Sequence, residues 1–325
     1  MLNILRRSRR TLLALCLTLG TSFAAQATYT NLYIFGDSLS DTGNVFTASG
    51  GLEPSDPPYY QGRLSNGPTW VETVASGLGF PTASTALLAG GNNYAWAGAF
   101  SSANGLVDPL LGIQTGLQAQ VFGQWSGIAD PGALYVLGIG GNDFRYVDAN
   151  HQPSATPYSD PTTVLGNLLV SLSYMIDRGA TNFLVANVPN MGLVPESDGH
   201  RAESTALAEA YNSALSTALV ALATTRQVTI MEFDLFGLLT DVISDTQNGG
   251  TQYGFLDATT PCFLPGAISC DDSVFSDALH PTARIHELAG NAALALIAAN
   301  QVPEPATLAL VVGALLAFAA SRRRA

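Results

Sequence analysis

The fold is decided by a short stretch near the start of the chain, residues 31–38, which reads NLYIFGDS. Its first five residues are mostly apolar or aromatic and lead into a glycine, which is typical of a strand buried on both faces. The same pattern recurs in three other runs, which are residues 133–139, 182–188 and 228–233. We therefore predict four short buried strands.

Helical patterns separate these strands. Asp160 and Pro161 are an N-cap followed by a first-turn proline, and the periodic run that they open stops at Gly179. Residues 201–225 are rich in alanine and leucine without glycine or proline, and residues 281–299 begin again with a proline. Strands that alternate with helices predict βαβ units and a mainly parallel sheet in one α/β domain.

Polar residues are concentrated in the segments between these elements. Two stretches, residues 48–67 and 246–276, are rich in turn residues and predict long loops. In sheets of this class, functional sites lie on the loops at the carboxyl ends of the strands. That rule points to four polar segments, which are residues 36–44, 93–99, 140–143 and 277–281.

Ser38 directly follows the first strand at a glycine-bearing turn. We expect this turn to open a helix, so that the helix N-terminus favours negative charge beside the hydroxyl. A serine hydroxyl is inert at neutral pH unless a base takes its proton. Of the four histidines, His280 has a carboxylate, Asp277, three residues before it, in a segment that we place between the last strand and the last helix. Asp277 can orient the imidazole and stabilise its protonated form.

Two further groups suit this Ser-His-Asp chemistry. The side-chain amide of Asn142 and the N–H of Gly98 or its neighbours are donors of the kind that a tetrahedral intermediate needs. Ser40 is the rival nucleophile, but it lies two residues past the turn. We interpret His286 as a packed or helix-surface histidine and not as a ligand, and we expect no metal or redox cofactor.

These segments resemble the motif blocks of the GDSL lipase/esterase family, also called SGNH hydrolases. The similarity covers residues 31–299, and the blocks occur in the family's order. Two blocks depart from the pattern, because Leu64 stands where members have an aromatic residue and Ala97-Gly98-Ala99 stands where members often have Gly-Gly-Ala. The matching blocks are GDSL with its extension SDTGN at residues 36–44, GRLSNG at 62–67, NYAWAGA at 93–99, GGND at 140–143 and DALHP at 277–281.

The resemblance implies a flavodoxin-like, three-layer α/β/α fold. It also implies that Ser38 is the nucleophile, His280 the base and Asp277 the residue that orients the base. The oxyanion donors would be the N–H groups of Ser38 and Gly98 together with the side chain of Asn142. Because the block that contains Gly98 departs from the family's pattern, the resemblance supports Gly98 as a donor less strongly than Asn142.

The N-terminus has the three-part layout of a secretory signal peptide. Four arginines at residues 6–10 precede an apolar run at 11–20 and the small-residue site Ala25-Gln26-Ala27. We predict a signal peptide at residues 1–27, removed by signal peptidase. A membrane anchor is the alternative, but the run is shorter than the ~20 apolar residues that a span needs.

The C-terminus resembles the PEP-CTERM sorting tail of Gram-negative bacteria. Val302-Pro303-Glu304-Pro305 precedes a short apolar run at residues 306–320 and three arginines at 322–324. The resemblance implies a short transmembrane segment, association with the inner membrane before processing, and cleavage by an exosortase. A plain tail anchor or a terminal core helix is the alternative. We assign residues 28–302 to the esterase domain and 303–325 to the tail.

The charges and the cysteines agree with export. The whole chain has a formal charge of −12, and residues 28–302 keep six arginines and 24 acidic residues, which gives 6 − 24 = −18. This balance excludes nucleic acid as a partner, because phosphates need clustered cations. Outside the signal peptide, Cys262 and Cys270 are an even pair and predict a disulfide.

The sequence therefore predicts a secreted serine ester hydrolase that works through an acyl-enzyme. Lipid esters and short acyl esters of polysaccharide, such as O-acetyl groups, both suit the family as substrates. We expect the protein in the periplasm, at the cell surface or in the extracellular matrix of a Gram-negative bacterium. A matrix or surface binding protein on an inactive esterase scaffold is the alternative.

Overall fold

Four parallel strands form the central sheet. They are β1 (Leu32–Gly36), β2 (Leu134–Gly138), β3 (Asn182–Ala186) and β4 (Thr229–Phe233), hydrogen-bonded in the order β1-β2-β3-β4. The register pairs the first residue of each strand with the first residue of its neighbour. All four strands therefore end level, and the loops that follow them meet along one edge of the sheet. The α/β class predicted from the sequence is confirmed.

The structure is a computed structural model, and it describes residues 29–125, 127–147, 152 and 154–301. Tyr29–Ile297 form one compact unit, and the rest of the chain, of which residues 298–301 are described, is assigned to another. The predicted signal peptide and the predicted sorting tail lie outside the described residues. Within the described part, no helix is both long and apolar enough to cross a membrane.

The described residues form eight α-helices. They are α1 (Asn44–Ala48), α2 (Trp70–Gly77), α3 (Asp108–Leu111), α4 (Leu117–Ala119), α5 (Pro161–Asp177), α6 (Arg201–Arg226), α7 (Leu235–Gln247) and α8 (Ala283–Gln301). The three long helices that the sequence predicts are α5, α6 and α8. At the start of α5, Asp160 accepts hydrogen bonds from the N–H groups of Thr162 and Thr163 at 2.9 and 3.1 Å, so the predicted N-cap is confirmed.

The helices cover both faces of the sheet. Successive strand residues point to opposite faces, so Tyr135 and Phe183 belong to one apolar cluster and Val136 and Leu184 to the other. The first cluster includes buried side chains of α5, α6 and α7, and the second includes side chains of α2 and α8. Two cores separated by one sheet make three layers, as the family resemblance implies.

The start of the last helix differs from the prediction. The sequence places Pro281 at the first helical position, whereas α8 begins at Ala283. Phe275 and Pro281 form an antiparallel bridge, and the N–H of Thr282 donates to the carbonyl of Val274 at 2.9 Å. These backbone pairings hold residues 281 and 282 extended, so the helix begins two residues later.

Residues 277–281 lie between the last strand and the last helix, as the sequence predicts, but not at the end of that strand. The helix α7 and the loop after it lie between β4 and Asp277. The sequence analysis did not predict α7, whose start is stabilised by Asp234, which accepts a hydrogen bond from the N–H of Gly237 at 2.9 Å. The rest of the predicted loop, residues 248–276, contains no helix and no strand beyond isolated bridges.

The predicted cysteine pair is joined in the structure. Cys262 and Cys270 form a disulfide with 5.1 Å between their Cα atoms. The bond closes a short loop just before the segment that carries Asp277 and His280. The N–H of Cys262 also donates to the carbonyl of Phe275 at 2.9 Å, which ties this loop to that segment.

Two helical glycines give a matched test of how closely α8 packs on α2. A Cβ at Gly290 of α8 would lie 2.5 Å from Thr73 Cβ and 2.8 Å from the Trp70 carbonyl oxygen, whereas one at Gly166 of α5 meets nothing within 4 Å. We expect Gly290→Ala to lower the free energy of unfolding by about 1–3 kcal/mol through overpacking. Gly166→Ala should raise it by about 0.5–1 kcal/mol through helix propensity. Urea unfolding of both variants measures the difference, and equal effects would contradict this packing.

Candidate active site

The structure brings the three predicted catalytic residues into one hydrogen-bonded chain. Ser38 Oγ lies 2.9 Å from His280 Nε2, and His280 Nδ1 lies 2.7 Å from Asp277 Oδ2. An ionised carboxylate can only accept, so Nδ1 carries the proton and Nε2 is free to accept from the serine hydroxyl. Ser38 and His280 are only 6% and 9% exposed. The arrangement is that of a nucleophile, a base and a group that orients the base.

The end of β1 fixes the position of Ser38. Gly36 has a φ of 152°, and a Cβ there would collide with the carbonyl oxygen of Gly138 on the neighbouring strand. The side chain of Gln120 holds both backbone groups of Gly36, because it accepts from the N–H at 2.9 Å and donates to the carbonyl at 2.8 Å. No sequence signal marked Gln120, since it lies far along the chain in a segment that no motif covers.

The helix expected to open at Ser38 begins later. The carbonyl of Asp37 accepts hydrogen bonds from Ser40 and Asp41, which makes a tight turn, and α1 starts only at Asn44. Asp41 Oδ1 accepts from the N–H groups of Gly43 and Asn44 at 2.8 and 2.7 Å and so stabilises that start. The prediction that a helix N-terminus faces the Ser38 hydroxyl is therefore wrong.

Asp277 builds the turn that carries His280. Its Oδ1 atom accepts from the N–H groups of Leu279 and His280 at 2.8 and 2.7 Å, while Oδ2 faces the imidazole. Burial alone would raise the pKa of Asp277, but the charge of His280 and the donors of His280 and Tyr59 outweigh it and hold the pKa well below its usual range. Asp277 is therefore ionised at neutral pH.

The motif at residues 62–67 supports this turn from behind. Asn66 Oδ1 accepts from the N–H of Ala283 at 2.8 Å, and Ser65 Oγ donates to the carbonyl of Pro281 at 3.3 Å. Arg63 pairs with Glu72 of α2 at 2.7 Å, which fixes the segment to a helix. The family block around Leu64 therefore holds the strand-like stretch after His280 in place.

The residues expected to form an oxyanion hole lie beside Ser38. Gly98 and Asn142 line the same opening as Ser38, and Asn142 Nδ2 uses one of its hydrogens to donate to the carbonyl of Ala99 at 3.0 Å. Within the described part of the chain, the N–H groups of Ser38 and Gly98 donate to no other group. Gly98 has a φ of 78°, which favours glycine at this position.

The sheet edge and a buried carboxylate fix the position of Gly98. Asn93 forms a parallel bridge with Ile34 of β1, which aligns the 93–99 block with the end of that strand. Asp41 Oδ2 accepts from the N–H of Ala97 at 2.9 Å. Burial raises the pKa of Asp41, although the backbone donors around it oppose the shift. Asp41 belongs to the motif block at residues 36–44, but nothing in the sequence marks this role.

Two cavities meet at Ser38 and His280. The first extends past the ends of β2 and β3 towards α7 and α8. Its walls are mainly apolar side chains, which are Leu39, Ile139, Val188, Met191, Leu238 and Ile285 among others. The lining of the second includes the polar side chains of Asn142, Arg145, Glu196 and Asp277 beside the aliphatic side chains of Leu64, Leu106 and Val107. Ser38 therefore lies between a mainly apolar cavity and a second cavity that also presents charged and polar side chains.

The remaining candidates have structural roles. Trp70 Nε1 donates to Ser40 Oγ at 3.1 Å, so the rival serine is engaged away from His280. His286 is buried, and its Nδ1 accepts from the N–H of Trp70 at 3.3 Å. Burial, helped by the charge of His280, lowers the pKa of His286 to about 3, so it is neutral. Among the described residues, no three His, Cys, Asp or Glu side chains are grouped so that they could hold a metal ion.

Comparisons with known proteins identify the family of the chain. Residues 32–293 match the profile of the GDSL-like lipase/acylhydrolase family. The chain belongs to this family. The members are ester-bond hydrolases, so the resemblance read from the sequence is confirmed. Residues 301–324 match the PEP-CTERM protein-sorting motif, which implies export and membrane-associated sorting in a Gram-negative bacterium.

Curated relatives and a solved structure belong to the same group. A phosphatidylcholine-sterol acyltransferase of Aeromonas hydrophila is 29% identical over 244 residues, which are 72% of this chain and 66% of the relative. A GDSL esterase/lipase of Arabidopsis thaliana is 26% identical over 315 residues, 80% of this chain and 85% of the relative. A solved member of the lipolytic G-D-S-L family from Veillonella parvula DSM 2008 is 16% identical, with a TM-score of 0.43, and the match covers 82% of this chain and 96% of that one.

Two buried carboxyl groups lie beneath the site. Burial raises the pKa of Asp37 to about 6, against the opposing effects of the Leu39 N–H and the charge of His280. Burial also raises the pKa of Asp143 to about 7, and the nearby charge of Asp37 adds to the shift, while Ser101 opposes it. Asp143 accepts hydrogen bonds from the N–H and the hydroxyl of Ser101 at 2.9 and 2.8 Å, which fixes the loop after Gly98.

The raised pKa of Asp143 predicts how the free energy of unfolding depends on pH. Between about pH 4 and pH 7 the folded protein binds a proton at Asp143 that the unfolded chain has lost, so the free energy of unfolding falls as pH rises through this window. Asp143→Asn should flatten that fall, by up to about 1.4 kcal/mol per pH unit for one proton. Asp277, whose pKa is lowered, loses its stabilising effect only below about pH 4. Urea unfolding across pH 4–7 measures the slope, and exposed Asp198→Asn is the control. The same slope in all three proteins would contradict the prediction.

Proposed function

We propose that this chain is a secreted serine carboxylic-ester hydrolase that works through an acyl-enzyme. The observation that carries the proposal is the hydrogen-bonded chain from Ser38 through His280 to Asp277, with distances of 2.9 and 2.7 Å. Membership of the GDSL-like lipase/acylhydrolase family supports it. Ser38, His280 and Asp277 can act as nucleophile, base and orienting residue. The N–H groups of Ser38 and Gly98, which donate to no other group in the described part of the chain, can act as oxyanion donors.

Acylation follows from the positions of the atoms. Ser38 Oγ attacks the ester carbonyl carbon as its proton passes to His280 Nε2. Negative charge then develops on the carbonyl oxygen, where the N–H groups of Ser38 and Gly98 and the second hydrogen of Asn142 Nδ2 can stabilise it. Asp277 stabilises the imidazolium. The intermediate collapses, the C–O bond to the alcohol breaks, and the departing alcohol oxygen takes the proton from His280.

Deacylation repeats these steps with water. His280 Nε2 takes a proton from a water molecule whose oxygen attacks the acyl carbon of the Ser38 ester. The same donors stabilise the second tetrahedral intermediate. When it collapses, the proton returns to Ser38 Oγ and the carboxylic acid is released. The protein ends the cycle unchanged, and each step uses groups that the described residues supply.

The apolar cavity favours an ester whose acyl group is larger than acetyl. It begins at Ser38 and His280, and its walls are mainly aliphatic side chains, as is usual for sites that bind apolar groups. An acyl chain placed there would leave the alcohol part in the polar opening that Arg145 and Glu196 line. The Aeromonas relative is named for an acyl transfer from phosphatidylcholine, which supports a lipid-type ester as substrate.

A second substrate class has support from elsewhere in the chain. Residues 301–324 match the PEP-CTERM sorting motif, and the resemblance to that system implies a protein linked to exopolysaccharide, which would place the enzyme beside O-acetylated carbohydrate. Sorting decides where a protein is, not which bond it cleaves. For this reason we rank acetyl-polysaccharide below esters of longer acyl chains.

The proposed location and partners follow from the two ends of the chain. We propose that signal peptidase removes residues 1–27 and that an exosortase-type enzyme processes the tail after transient anchoring in the inner membrane. The mature protein would then act in the periplasm, at the surface or in the matrix. A non-catalytic binding protein on the same scaffold is the alternative function. The complete Ser-His-Asp chain argues against it.

Replacing the nucleophile tests the proposed function directly. Ser38→Ala should lower kcat on nitrophenyl butyrate by at least about a thousandfold, because no nucleophile remains for the acyl-enzyme. A fluorophosphonate probe should label wild-type protein at Ser38 and leave the variant unlabelled. Ser40→Ala is the control, and it should keep both labelling and turnover. Folded wild-type protein without a Ser38 adduct would support the binding-protein alternative.

A bulky side chain in the apolar cavity tests the acyl assignment. Leu238 lines that cavity and is partly buried on α7, so Leu238→Trp should shorten the space for an acyl chain. We expect kcat/KM on nitrophenyl decanoate to fall about tenfold or more, while the value on acetate stays within about twofold. Leu207→Trp, at a partly buried leucine of α6 that lines neither cavity, is the matched control.

A panel of ester substrates distinguishes the two substrate classes, which are longer acyl esters and acetylated polysaccharide. Nitrophenyl esters from acetate to palmitate are compared with acetylated xylan for wild-type protein and both tryptophan variants. A preference for chains longer than four carbons that Leu238→Trp removes supports the cavity as the acyl site. Equal activity on all chain lengths, together with rapid deacetylation of xylan, would contradict it and favour the carbohydrate substrate.

A further inference from the structure

A tyrosine that belongs to none of the quoted motif blocks contacts the predicted catalytic aspartate. Tyr59 lies in the loop between α1 and α2, and its hydroxyl donates to Asp277 Oδ2 at 2.6 Å. That oxygen also accepts from His280 Nδ1 at 2.7 Å, and Oδ1 accepts from two backbone N–H groups. Each carboxylate oxygen of Asp277 therefore accepts two hydrogen bonds, and Tyr59 supplies one of the two on the oxygen that faces the base.

Tyr59 is held in place by packing as well as by this bond. Its ring meets the ring of Phe263 edge-on, with centroids 5.2 Å apart and an interplanar angle of 88°. Phe263 is itself fixed, because its N–H donates to the carbonyl of Ser276 at 3.0 Å, one residue before Asp277. The loop that carries Tyr59 and the segment that carries Asp277 are thus joined at two points.

We propose that Tyr59 is a positioning residue that acts on the base through Asp277. This inference rests on the proposed function. The Asp277 side chain is 21% exposed, so without the tyrosine hydroxyl water would take its place on Oδ2. A fixed donor keeps Oδ2 aimed at the imidazole, whereas exchangeable water leaves the carboxylate free to rotate. Tyr59 does not touch the reacting atoms, so it is not a catalytic residue in the strict sense.

The bond also controls how strongly Asp277 attracts a proton on His280. A donor on Oδ2 takes up part of the negative charge that the imidazolium would otherwise face. Removing that donor leaves Oδ2 more basic and stabilises protonated His280. The other charged or titratable groups that face His280 are Asp37, His286 and the Arg145–Glu196 pair, and they stay the same when Tyr59 is changed. A change in pH dependence after Tyr59 is altered therefore reports on Asp277.

Tyr59→Phe separates positioning from structure, because the ring and its contact with Phe263 remain. We expect kcat on nitrophenyl butyrate to fall about tenfold, the effect of one hydrogen bond to a charged group, with KM unchanged. The pH of half-maximal kcat/KM on the acid side should move upward. Tyr60→Phe is the matched control, since that tyrosine is exposed and its hydroxyl has no hydrogen-bond partner among the described residues. It should match wild type in both respects.

A double-mutant cycle with Asp277→Asn completes the test. If Tyr59 acts through the carboxylate, Tyr59→Phe should cost little further activity in the Asp277→Asn background. The same tenfold loss in both backgrounds, or a Tyr59→Phe variant with the kcat and pH profile of Tyr60→Phe, would overturn the inference. Failure of the proposed function is distinguishable, because folded wild-type protein would then show no Ser38-dependent turnover and no fluorophosphonate adduct, whatever the Tyr59 variant does.

Discussion

The hydrogen bond between Ser38 and His280 joins two segments that are 242 residues apart, and the loops around the site hold its two ends. The Ser38 end is fixed by the close approach of Gly36 to β2 and by the Gln120 side chain. The other end is fixed by Asp277, whose carboxylate shapes the turn and orients the ring. A distance of 2.9 Å between side chains from remote segments requires rigid supports on both sides, and β1 and α8 supply them.

Three buried carboxyl groups hold the loops around the site in place. Asp37, Asp41 and Asp143 are each nearly inaccessible, yet none forms an ion pair among the described residues. Their partners are backbone N–H groups and the Ser101 hydroxyl, which suits a chain without lysine. Burial without a cation raises the pKa of all three, because desolvation penalises the charged form. The loops of the site are therefore rigid at a cost in stability that grows as the pH rises.

The elements with a strong local pattern could be predicted from the sequence. Short apolar runs predict the buried strands, and Asp160 with Pro161 predicts the start of α5. Both patterns depend only on residues that are neighbours in the chain. The start of α8 could not be predicted, since the bridge between Phe275 and Pro281 is a pairing that overrides the proline signal. Ser38, Asp277 and His280 were marked by motifs. Gln120 and Tyr59 carry no such mark, because their roles depend only on which residue stands opposite in space.

The second cavity and the net charge of the domain also limit which alcohol part the ester can have. Arg145 is the cation that lines this opening, and Glu196 pairs with it through two hydrogen bonds of 2.7 and 2.9 Å. A paired guanidinium presents little free positive charge to a ligand. The domain as a whole is strongly acidic, so an anionic lipid surface would repel it. On the proposed function, an ester with an apolar acyl chain and an alcohol part without net negative charge fits both cavities. Binding energy would then come mainly from the buried acyl chain, since the arginine that lines this opening is already paired with Glu196.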